Sequence, residues 1–317
     1  MIGVLHGFAV ILGIIGAGYL AAVAGVVKGD RRRVLNDVAF YVATPALLFD
    51  VVQKSDPRAL LSPVILVTTI AALFVAALYV VASRLWFKGD LASTTLGATA
   101  AGYVNSNNLG LPVALYILGD VGYIAPLLLM QVGVLAPVVL AILEASRSTG
   151  SASGRGARSA LRAGLRAFGR AARNPIIIAS VLGFVFALFD LSVPQIALGP
   201  IEMLAGASVP MVLLSFGVSL RGQRALEPGT HRVPVLVASG IKVLIMPLAA
   251  WLLCVMLGLG PHETLVATTL AALPTAQNVY NFAATYRRAE TQVRDTVLVT
   301  TFASLPVIAL VAWLLSA

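Results

Sequence analysis

A chain of 317 residues, 59% hydrophobic and only 11% charged with a mean hydropathy of +0.94, departs from soluble domains, in which roughly a quarter of residues are charged. That composition excludes a water-soluble enzyme or binding module and specifies an integral membrane protein. The net charge of +9 follows from where the basic residues fall, so no nucleic-acid partner is needed to explain it.

Apolar runs near the ~20 residues that cross ~30 Å of hydrocarbon recur along the chain, and they are too long for transmembrane strands of about ten residues. The expected fold class is therefore an all-α membrane protein. Ten spans are predicted, over 4–26, 34–53, 62–86, 93–118, 122–146, 174–190, 196–220, 233–257, 264–286 and 294–315. The first run reads as a span, because it holds about twenty apolar residues and no basic stretch precedes it as in a signal peptide. Three domains are expected: a first five-helix repeat over 1–146, a basic cytoplasmic linker over 147–173, and a second repeat over 174–317.

The basic residues orient these spans. With both termini outside the cytoplasm, the inner connections hold 19 of the 22 Lys and Arg residues. The outer ones hold only Lys54 and Arg58, and Lys242 lies within span 8. A bias this lopsided fits the positive-inside rule and an even number of spans. The expected location is the cell membrane, multi-pass, with a bacterial inner membrane favoured by the Ala- and Arg-rich composition. In the linker, Arg158, Arg162, Arg166 and Arg170 recur every four residues while Leu161, Leu165 and Phe168 fall on another face, which predicts a helix lying on an anionic leaflet. A solvated linker is the alternative, since Gly150, Gly154, Gly156, Gly164 and Gly169 weaken a helix.

Span 4 carries Asn105-Ser106-Asn107-Asn108-Leu109-Gly110-Leu111-Pro112, a polar and helix-breaking patch in an otherwise apolar run. Irregular backbone at membrane depth survives only where it is packed in protein or lines a cavity. Span 9 repeats the pattern. Leu96, Asn105, Pro112 and Pro137 correspond to Leu265, Pro274, Asn281 and Pro306 at one offset of 169 residues, which sets Asn105–Pro112 against Pro274–Asn281. Pro45 and Pro210 form a looser pair. Five spans separate the halves, so the two repeats must run in opposite senses across the membrane.

Inverted repeats with a matched pair of interrupted helices point to a secondary transporter with a midplane site. Half-helices starting near Pro112 and Pro274 would aim unpaired N–H groups and the positive dipole end at the centre, where a carboxylate is stabilised. Asn105, Asn107, Asn108, Gln277 and Asn278 add amides there. The expected substrate-binding residues are Asn105, Asn108, Pro112, Pro274, Gln277 and Asn278. Pro137, Pro247 and Pro306 read as kinks. Lys242, about nine residues into span 8, is an ionisable group at membrane depth and hence a candidate for proton coupling, or a side chain bonded to backbone carbonyls. Sodium coupling through the amide oxygens is the other option.

Enzymatic readings find no support in the residues. His6, His231 and His262 are scattered, Cys254 is the only thiol, and no nucleophile with a base can be named. No cofactor and no metal site is expected.

Asn105 seven residues before Pro112, in order with Pro45-Ala46-Leu47-Leu48-Phe49, Asn174-Pro175, Ser215-Phe216-Gly217, Lys242, Pro247, Ala272-Leu273-Pro274 and Phe282-Ala283, resembles the auxin efflux carrier family over essentially the whole chain. The resemblance implies a fold like that of the bile-acid sodium symporters and NhaA, with broken helices 4 and 9 crossing, elevator-type alternating access, and a homodimer. It implies a small organic anion, malate- or malonate-like or auxin-like, held at the crossover. A sodium- or ligand-sensing membrane protein that keeps the fold without turnover is the rival expectation.

Overall fold

The computed structural model describes residues 2–27, 30–54, 62–148, 172–222 and 232–315, together with Leu165, Gly169 and Leu226. Among these the regular elements are all helical, as lipid demands of backbone that cannot bond to water. Six helices are long and apolar enough to cross a bilayer: Arg33–Gln53, Pro63–Phe87, Ile124–Ser146, Gln195–Leu220, Arg232–Leu257 and Glu290–Leu315. The predicted runs 4–26 and 174–190 are occupied by the helices Ile2–Val23 and Pro175–Leu188. The runs 93–118 and 264–286 are each interrupted, the first after Gly102 and the second after Ala272. The surface helix expected in 147–173 lies almost wholly outside the described residues.

Proline is accommodated in a repeated way. Widened π-helical turns at Ala39–Ala43, Ser106–Gly110, Gln131–Leu135 and Ile241–Ile245 each end two residues before a proline, namely Pro45, Pro112, Pro137 and Pro247. Proline has no N–H to give and its ring crowds the preceding turn. The extra residue per turn absorbs both defects without exposing backbone to lipid. Pro112 is therefore carried inside a helix that resumes at Ser106, and the half-helix does not start near Pro112 as expected from sequence.

The chain forms two compact units that interleave along the sequence. The first comprises Met1–Ser62, Asn107–Leu129 and Ala171–Gln223, and the second Pro63–Ser106, Met130–Arg170 and Arg224–Ala317. In the first unit, Ile11, Ile15, Gly18 and Ala22 form the buried stripe of the Ile2–Val23 helix and face Gln195–Leu220. A Cβ on Gly18 would strike the backbone of Leu214, and one on Gly217 the backbone of Ile15. Close approach of this kind is how helices gain packing energy where lipid offers no hydrophobic drive. The Thr44 and Ser208 hydroxyls bond at 3.0 Å in the same unit. At its edge Lys54 Nζ bridges Asp50 at 2.8 Å and Glu202 at 2.9 Å, and these bonds, Asp50's above all, raise the Lys54 pKa above its ordinary value.

The second unit packs around Leu96, Ala100, Tyr103, Leu143, Val279 and Val293. Its Leu91–Gly102 helix is capped by Asp90, whose carboxylate accepts the Ser93 N–H at 2.7 Å. Bonds from Ser93, first its side chain and then its N–H, hold the Asp90 carboxyl below the usual carboxylate range. A group whose folded pKa is depressed stabilises the fold above its unfolded value and loses that contribution as pH falls through the lower folded value. Asp90→Ala is expected to cost about 1 kcal/mol at neutral pH, read as a lower thermal midpoint in detergent. The difference from the native protein shrinks on acidification below about pH 4.

Candidate functional site

The two interruptions meet inside the second unit. Leu91–Gly102 ends as Tyr103 turns extended, with φ −84° and ψ 116°, and Pro261–Ala272 ends at Leu273, with φ −57° and ψ 145°. Beyond these ends Val104 and Thr275 form an antiparallel bridge. The Asn105 N–H donates to the Pro274 carbonyl at 2.8 Å, and the Ala276 N–H to the Tyr103 carbonyl at 3.1 Å. Val104, Asn105, Thr275 and Ala276 are at most 5% exposed. Each break thus supplies the backbone partner that the other lacks, which is what allows irregular chain to persist in the interior of a membrane protein.

Side chains complete the arrangement. The Thr275 hydroxyl donates to the Ala100 carbonyl at 2.6 Å, one of the last carbonyls of the first half-helix, while the Thr275 N–H donates to Thr300 Oγ1 at 3.2 Å. The Ser106 hydroxyl donates to Gln131 Oε1 at 2.9 Å and leans on the Val104 carbonyl at 3.4 Å. Lys242, fully buried, donates from Nζ to Met246 Sδ at 2.8 Å and to the Ala271 carbonyl at 3.3 Å. Ala271 lies in the last turn before the second break.

The residues expected from sequence fall as follows. Asn105 and Pro274 are brought together through their backbones, both buried. Gln277 and Asn278 open the Gln277–Tyr286 helix, Gln277 half-buried and Asn278 exposed. Ala276, at the N-cap of that helix, makes no side-chain cap. Asn108 and Pro112 belong to the first unit, where Asn108 Oδ1 accepts from Asn107 Nδ2 at 3.0 Å and Pro112 is buried. Ser106, Gln131 and Thr275 are the crossover residues that sequence reading left out. Gln131 carried a signal, being an amide inside the apolar run 122–146, and it is 2% exposed.

Comparison with known proteins finds similarity to membrane transporters. A protein family described as membrane transport protein matches residues 4–312. The chain is 25% identical over 316 residues to a transporter of Methanocaldococcus jannaschii, with 96% of this chain and 97% of that protein covered. It is 26% identical over 304 residues to a Rhizobium meliloti protein whose name assigns it malonate, with 92% and 89% covered. A transporter of Methanothermobacter thermautotrophicus is 30% identical over 237 residues, with 74% and 72% covered. These matches are to transporters rather than enzymes, and with six helices among the described residues long and apolar enough to cross a bilayer the molecule is a multi-pass membrane protein. The chain belongs to the membrane transport protein family, the family of the auxin efflux carriers that its motifs resemble.

Proposed function

We propose that the protein is a secondary carrier of small organic anions that works by elevator-type alternating access and binds the substrate carboxylate at the crossover of the second unit. The mutual bridge between Val104 and Thr275 carries this reading. It holds two helix breaks at one point, with Asn105, Pro274, Gln277 and Asn278 beside the open N-terminus of Gln277–Tyr286. Asn108 and Pro112 are proposed to serve the same transport from the first unit. Ten crossings in two inverted five-helix repeats, both termini on the non-cytoplasmic side of a bacterial inner membrane, and a homodimer complete the proposal.

The name of the Rhizobium meliloti relative makes malonate the first substrate to try. Lys242 is the residue proposed to couple transport to protons, because it is ionisable, buried and bonded beside a break. The purified protein in proteoliposomes is expected to exchange labelled malonate, malate, pyruvate or indole-3-acetate in counterflow. An inward or outward proton gradient should bias the direction more than a sodium gradient does. Saturable binding of these anions without flux would replace the carrier with a membrane sensor on the same fold.

A further inference from the structure

The two half-helices that end at the crossover have different caps, and the difference is electrical. At the end of Leu91–Gly102 the Ala100 carbonyl is capped by a neutral hydroxyl, that of Thr275. At the end of Pro261–Ala272 the Ala271 carbonyl is capped by the amine of Lys242. Each helix C-terminus carries about half a negative charge and each N-terminus about half a positive one. Two helix C-termini, those of Leu91–Gly102 and Pro261–Ala272, and two N-termini, those of the helix resuming at Ser106 and of Gln277–Tyr286, therefore lie at the crossover. Without Lys242 these ends sum to about zero, and with its ammonium to about one positive charge.

We infer that Lys242 is a positioning residue that gives the crossover its net positive charge, making it an anion site by offsetting the carbonyl end of Pro261–Ala272. The inference rests on the carrier reading and deepens it. Lys242 lies in the Ile241–Ile245 turn, and the buried ionisable groups on the helices packed against that turn are Tyr79, Cys254 and Asp295. Tyr79 accepts a bond from Gln292 at 2.8 Å, and Asp295 is paired with Arg294 at 2.9 Å and with the Leu226 N–H at 3.0 Å. The bonded partners of Lys242, a thioether and a backbone carbonyl, are both neutral. Proton binding at Lys242 and anion binding at the crossover then favour each other, by the reciprocity of linked equilibria.

The experiment measures half-saturation of labelled malonate counterflow between about pH 7 and pH 10, where an amine can titrate and a guanidinium cannot. It compares the full-length native protein with Lys242→Arg and Lys242→Met. In the native protein half-saturation should rise with pH. Lys242→Arg should hold it low and flat, and Lys242→Met should raise it about tenfold at the lower pH and flatten it. Lys242→Met exchange with native half-saturation and a native pH profile would overturn the inference while leaving the carrier reading intact. Should Lys242→Met fail to fold, Lys242→Arg decides: a retained pH slope overturns the inference, and a flat one supports it. Absence of exchange of every tested anion by the native protein would instead be a failure of the carrier reading.

Discussion

Replacing Gly217 with valine is expected to destabilise the first unit by more than about 3 kcal/mol, enough to prevent recovery of folded protein. The reason is geometric. A Cβ at Gly217 would overlap the backbone of Ile15, which cannot rotate away as a side chain can. Gly18 presses in the same way against the backbone of Leu214, so the two glycines register one helix against the other at two points. Moving the helices apart would forfeit the dispersion contacts along the whole stripe Ile11, Ile15, Gly18 and Ala22, and no hydrophobic effect between lipid-bathed helices would restore them. Gly13 supplies the control. It lies in the same Ile2–Val23 helix with nothing within 4 Å of an added Cβ, so Gly13→Ala should leave the thermal midpoint unchanged or raise it slightly. Equal losses for Gly217→Val and Gly13→Ala would reject the contact as the cause.

Thr275→Val is expected to damage the crossover selectively. The substitution keeps the side-chain volume and the β-branch but removes the hydroxyl that donates to the Ala100 carbonyl at 2.6 Å. A buried acceptor then loses its donor at a site with no exposure, a loss of about 1–3 kcal/mol. Because Ala100 ends one half-helix and Thr275 belongs to the other break, the cost falls on the alignment of the two. Counterflow should fall about tenfold or more in maximal rate, with the bulk of the protein still folded by thermal denaturation. A lowered thermal midpoint with native transport would make Thr275 a fold residue alone.

The breaks were readable in the sequence because a bilayer leaves few uses for Asn-Ser-Asn-Asn next to Gly110 and Pro112, or for Pro274 next to Gln277 and Asn278. The limits of the six long apolar helices were readable because hydrocarbon thickness fixes the length of an apolar run. What misled was Pro112. Proline reads as the start of a half-helix, yet the Ser106–Gly110 turn upstream takes up its missing bond, and such a turn leaves no compositional mark. Thr275 and Ser106 were hidden for another reason: small hydroxyl residues are common in membrane helices and usually bond their own helix, as Thr296 bonds the Gln292 carbonyl at 2.8 Å. The contact partners of Gly18 and Gly217 come from residues about 200 positions apart, a pairing that periodicity in either helix cannot supply. The same holds for the two units, whose segments alternate along the chain.

The crossover of the second unit is the proposed anion site. The decisive experiment is counterflow of labelled malonate into proteoliposomes containing the native protein or Asn105→Ala, which keeps the backbone bond from residue 105 to Pro274 and deletes only the amide. Saturable exchange by the native protein is expected, with a half-saturation raised about tenfold or more in Asn105→Ala and the variant still folded by thermal denaturation. Malonate exchange by Asn105→Ala at native half-saturation and native rate would move the anion site away from the crossover.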